Sequence, residues 1–154
     1  MTYVYIIIAI LVLGFLYLMR LSGKVIDLME ENSKKAIIDA KENHGVELDL
    51  STESLEKVNS IIQKLSDSDD INFQELSMIY GGYIGEVIRK LDKSGFWVKD
   101  HPEMGKDLYP VKFSNENYAF PVVWVDKHLS NGDEDNILHK YNSWKYTFEL
   151  SKKA

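Results

Sequence analysis

No charged side chain occurs between Met1 and Met19, and Val4 to Met19 (VYIIIAILVLGFLYLM) is almost wholly apolar. Nineteen helical residues at about 1.5 Å each reach about 28 Å, close to the roughly 30 Å hydrocarbon core of a bilayer. A secretory signal peptide would need a basic leading region, a shorter apolar stretch and a small-residue cleavage site. No Lys or Arg precedes the run, and Leu16-Tyr17-Leu18-Met19-Arg20 offers no such exit. Residues 1–20 are therefore expected to form an uncleaved transmembrane anchor in the lipid bilayer, the alternative being a buried core helix. Arg20, Lys24, Lys34 and Lys35 follow the run, which places the remainder of a single-pass chain on the cytoplasmic side.

Residues 21–46 read as a helical stalk. Glu30 and Glu31 precede Lys34 and Lys35 by four residues, the favourable order for helical ion pairs. The apolar positions Val25, Leu28, Met29, Ala36, Ile37 and Ala40 make only a broken stripe, and Gly45 is a natural stop. The chain holds 18 basic and 24 acidic residues for a net charge of −6. The first 46 residues balance, so the whole excess falls from Glu47 onward. That excess argues against a grip on nucleic acid, which needs a Lys/Arg-rich surface. The absence of cysteine removes disulfides, thiolate metal sites and a cysteine nucleophile.

A head domain is expected over 47–150, able to fold without the stalk. Ser51 or Thr52 can cap a helix bearing Leu55, Val58, Ile62 and Leu65. The acidic run Ser66 to Asp70 ends it as a solvated turn, lacking the Gly and Glu of a calcium loop. Asn72, with Glu75 in capping-box position, starts a second helix that carries a wide apolar face to Leu91. Gly81, Gly82 and Gly85 lie inside it, each costing about 1 kcal/mol relative to Ala. Their shared strip suits close helix packing. It does not suit a phosphate cradle, since the glycines do not open a helix after a strand.

Beyond Gly95, Phe96-Trp97-Val98, Tyr109 to Phe113 and Tyr118 to Val125 are aromatic and β-branched, as strands are. Ser114 to Asn117 reads as the turn joining the last two, and Pro121 as a mark of an edge or a bulge. Asp133, Glu134 and Asp135 open a final helix to Trp144, with one more short strand over Tyr146 to Leu150. The expected class is α+β: a transmembrane helix and stalk, then two helices, a three-stranded antiparallel meander and a C-terminal helix.

Chemistry is sparse. His128 and His139 flank the acidic turn and with Asp133 or Asp135 could hold a metal, but they fit no metal-ligand spacing. Glu86, beside the glycines, has Arg89 three residues on; an ion pair explains both, as would a general base with its orienting cation. With no nucleophile elbow, P-loop or dinucleotide fingerprint, the reading is no enzyme, no metal and no cofactor. Trp97 and Trp124, with Glu86, Asp133, Glu134 and Asp135, are the candidate partner-binding residues, since aromatics dominate interface hot spots.

Tyr80-Gly81-Gly82-Tyr83-Ile84-Gly85-Glu86-Val87-Ile88-Arg89, then Gly95-Phe96-Trp97, Phe120-Pro121 to Trp124, and Leu129 to Asp135 together resemble a small uncharacterised bacterial α+β domain. In it a helix bearing Gly-x-Tyr-x-Gly-Glu-Val precedes a Trp-containing meander and an Asn-Gly-x-Glu-Asp turn. The resemblance covers about Leu50 to Trp144 and carries over no catalytic residue. Size, acidity and architecture also resemble bacterial toxin-immunity proteins. That likeness implies a protein that neutralises a toxin by direct binding; with the anchor expected over residues 1–20 and the acidic, aromatic head, the expectation is a bacterial inner-membrane protein whose toxin partner has a basic surface. The alternative is a structural or accessory subunit of an inner-membrane assembly.

Overall fold

The computed structural model describes residues 2–68, 71–114 and 116–152. Met1 of the apolar run, Asp69 and Asp70 of the acidic run and Asn115 of the expected turn lie outside the described residues. The first element is one continuous helix, α1 (Thr2–His44), of 43 residues. Its opening part exposes apolar side chains, Tyr5, Ile10, Leu13 and Tyr17 among them. From Met29 onward it enters the core. Met29, Asn32, Ser33, Ala36 and Ala40 are buried and recur at helical spacing on one face.

The membrane expectation is corrected here. Among the described residues no helix is long and apolar enough to cross a membrane. A span needs about 20 consecutive apolar residues, whereas α1 passes without a break into a segment carrying Arg20, Lys24, Asp27, Glu30 and Glu31. The transmembrane helix over residues 1–20 and the single-pass placement in an inner membrane are overturned, and the sidedness drawn from Arg20 and Lys24 goes with them. The segment read as a solvated stalk packs along the glycine helix, so the folded core begins well before Glu47.

Helix α2 (Ser54–Ser66) follows a turn in which Ser51 Oγ accepts from Ser54 N, and it buries Leu55, Val58, Ile61 and Ile62. Helix α3 (Phe73–Leu91) is the centre of the fold. Asn72 caps it: its Oδ1 accepts from Glu75 N at 3.1 Å, and its Nδ2 reaches Glu75 Oε2 at 3.4 Å. Two tyrosines fasten α3 to its surroundings. Tyr80 donates to Asp39 of α1 at 2.5 Å. Tyr83 Oη accepts from Leu50 N at 2.8 Å and lies 2.6 Å from Ser54 Oγ. Burial, more than the neighbouring Asp39, pushes the Tyr80 hydroxyl far above its ordinary pKa.

The α+β expectation is corrected as well. Helices dominate, and the sheet is a small antiparallel one of β1 (Phe96–Trp97), β2 (Val111–Lys112) and β3 (Tyr118–Ala119), in the order β1-β2-β3. Trp97 pairs with Val111, and Val111 with Ala119. The expected strand over Tyr118 to Val125 stops after two residues, because Pro121 opens helix α4 (Pro121–Asn131). Proline's fixed φ suits a first helical turn, where its missing N–H costs nothing. Val122, Val125 and Leu129 then fall on one buried face, and tertiary burial outweighs the β-branched preference of the two valines.

Gly132 ends α4 at φ +65° and leads into a 3₁₀ turn, Gly132–Asp135. Asn136 then caps α5 (Ile137–Ser151) by accepting from Leu138 N and His139 N. The strand expected at Tyr146 to Leu150 is part of α5, whose Tyr141, Trp144 and Phe148 form a buried helical face.

Candidate functional site

The glycine strip is a three-way contact. A Cβ on Gly81 would sit 2.6 Å from Val122 Cα of α4, and one on Gly82 would sit 2.9 Å from Met29 O of α1. A Cβ on Gly85 would fall 2.0 Å from the Trp97 ring. Each glycine thus admits a different neighbour to a distance no side chain allows. Trp97 is fully buried, and its Nε1 donates to Glu86 Oε1 at 2.7 Å. Arg89 donates to the same oxygen at 2.6 Å and lies 3.6 Å from Glu30 of α1. Glu86 and Trp97, two of the six candidate partner-binding residues, therefore meet inside the protein. There Glu86 satisfies a buried indole and ties α3 to β1 and, through Arg89, to α1.

The acidic turn divides. Asp133 accepts from Asn136 Nδ2 at 2.6 Å, buttressing the residue that caps α5. Asp135 pairs with Lys140 and accepts from Asn131 at 2.5 Å; these bonds lower its carboxyl below the usual range. Asp133 and Glu134 are both exposed, and of the three acids it is Glu134 that lines, with Trp124, a cavity of about 490 Å³.

That cavity, between α4, α5 and β3, is the candidate site. Tyr118, Phe120, Trp124 and Trp144 supply its aromatic surface, and Val123 adds to it. The ring of His101 braces the wall, its centroid 4.4 Å from Tyr118 and 5.4 Å from Phe120. His101 is itself held by its loop: Nδ1 accepts from Glu103 N and Met104 N at 3.2 and 3.1 Å, and Met104 reaches the cavity mouth. Lys127, Glu134, His139 and Ser143, all exposed, ring the opening. A half-buried aromatic concavity with a polar rim seats a large apolar or aromatic side chain and orients it through charge at the edge.

The histidines do not assemble into a metal site. His128 is fully buried, its Nε2 2.9 Å from Gln63 Oε1 of α2, while His139 stands exposed at the cavity rim. Burial lowers the pKa of His128 against the opposing pull of Asp133 and Asp135, which keeps it a neutral core residue near pH 7. Tyr118, Phe120, Lys127, Ser143 and Trp144 escape a sequence reading of this site. They come from three elements, and the shared wall exists only once α5 folds back over α4. The local signs are i,i+4 spacings within single helices, such as Val123/Lys127, His139/Ser143 and Lys140/Trp144. No family model matches the chain, and neither the curated proteins nor the solved structures contain a match to it.

Proposed function

We propose that this protein acts by binding another protein, most concretely a bacterial toxin with a basic surface that it neutralises by occlusion. The observation that supports binding is the aromatic cavity of Tyr118, Phe120, Trp124 and Trp144. Such a cavity suits an anchor side chain from a partner, the kind of contact that dominates interface energetics. The net charge of −6, carried wholly from Glu47 onward, supports a basic partner, because complementary charge speeds encounter and disfavours wrong partners.

The test uses the full chain as bait against lysate of a toxin-producing strain, paired with protection of susceptible cells by co-expression. Capture and protection are both expected. Ser143→Arg, which fills the mouth from an exposed position, should leave the thermal melt unchanged and weaken capture at least about tenfold, or about 1.4 kcal/mol. Undiminished capture by that variant would remove the cavity as the site. A bait that retains no protein and protects against no toxin would remove the reading itself.

A further inference from the structure

A second groove, of about 340 Å³, lies between α3 and α4 where the chain at Asp107 to Tyr109 crosses them. Met78, Tyr109 and Val122 give it apolar walls, and Gln74, Ser77, Asp107 and Asp126 give it polar atoms. No Lys or Arg lines it. Lys99 holds Asp107 at 2.8 Å. The carboxylate of Asp126 has no ion pair or hydrogen bond among the described residues. Ser77 is only 3% exposed, and its hydroxyl has no partner among the described residues. A buried polar atom left unpaired is costly, so its persistence on the wall of a groove calls for an explanation. The crossing loop is also held against its preference: Asp107 (φ +57°) and Tyr109 (φ +46°) both sit in the left-handed region, a form of strain that collects at functional sites.

We infer that this groove receives the guanidinium of an arginine from the partner protein. The identity of the partner rests on the function proposed above; the chemistry of the groove does not. Arginine brings a planar fork of five donors, and the groove offers acceptors on two helices, Gln74 from α3 and Asp126 from α4. Its aliphatic stem fits along Met78 and Val122. A lysine ammonium is a compact, strongly hydrated charge that cannot span both helices. An anion would meet Asp126 with no lining cation to offset it.

The experiment titrates the isotope-labelled full chain with N-acetyl-arginine methylamide, followed by amide NMR. N-acetyl-citrulline methylamide, of the same shape and no charge, is the control. The arginine probe is expected to shift the Ser77, Met78 and Asp126 signals to saturation in the millimolar range, while citrulline leaves them in place. Asp126→Asn, an exposed isosteric change, should weaken arginine binding at least fivefold without moving the melt. No shift with arginine, equal shifts with citrulline, or unchanged affinity in Asp126→Asn would each overturn the inference. Arginine binding here without any captured protein would leave the groove assigned and the proposed function lost. Capture sensitive to Ser143→Arg, in a chain that ignores arginine, would do the reverse.

Discussion

Toward α3, helix α4 comes to backbone contact, with Val122 against Gly81 and Pro121 against Gly85. Toward α2 and α5, His128 Nδ1 of the same helix and Trp144 Nε1 of α5 are buried without hydrogen-bond partners among the described residues, and Trp144 lines an open cavity. The first side is close-packed at positions where a single added methyl would collide. The second holds polar atoms whose cost must be offset by packing elsewhere. A tight seam around α3 fixes the positions of α1, α4 and β1, and so frees the outer side of α4 to present a concave surface.

The hardest blow to this contrast is to remove one wall of the seam. A chain beginning at Glu47 is expected to lose cooperative unfolding altogether. It forfeits Met29, Ala36 and Ala40 from the core and leaves Gly82 and Tyr80 without their α1 neighbours. Urea titration followed by tryptophan fluorescence decides it. A sigmoidal transition with full near-ultraviolet dichroism would show that α1 is not part of the fold.

A smaller effect comes from filling the seam. Gly85→Leu should destabilise by roughly 1–3 kcal/mol through overpacking, even though replacing Gly returns about 1 kcal/mol of helix propensity. Trp97 cannot swing away freely, because its Nε1 is held by Glu86. Equilibrium denaturation of this variant beside Ser143→Arg sharpens the comparison: the first loses stability, the second does not. Equal losses would mean that the two sides of α4 are packed alike.

The smallest effect is on the loose side and depends on pH. Burial holds the His128 pKa below the ordinary 6.5, so the folded chain binds fewer protons than the unfolded one just below that value. Stability from this residue is complete above about pH 6.5 and is lost as pH falls toward the folded pKa. The urea midpoint is expected to be lower at pH 5.5 than at pH 7.5, and His128→Gln should reduce that difference. A variant with the same pH slope would show that His128 does not cause the effect.

Local signals were legible wherever a short stretch satisfied its own backbone. Asn72 and Glu75 announced the start of α3, and the three glycines announced a close approach, because a cap and a missing Cβ act within a turn or two of helix. The expected ion pair of Glu86 with Arg89 is likewise an i,i+3 contact within one helix. The sequence could not say that Glu86 also receives a buried indole, because Trp97 reaches it only through the pairing of β1 with β2.

Residue chemistry by itself determined the central helix, its caps, its glycine strip and an acidic excess confined to the chain from Glu47. Tertiary structure alone decided that α1 lies in the core, that Pro121 begins a helix within an apparent strand, and which aromatics face the cavity. The physical reason is range. Caps and helix propensity act over a few neighbouring residues. The burial of Val122, Val125 and Leu129, by contrast, is set by α2 and α3, which are distant in sequence, and that burial outweighs the local β preference.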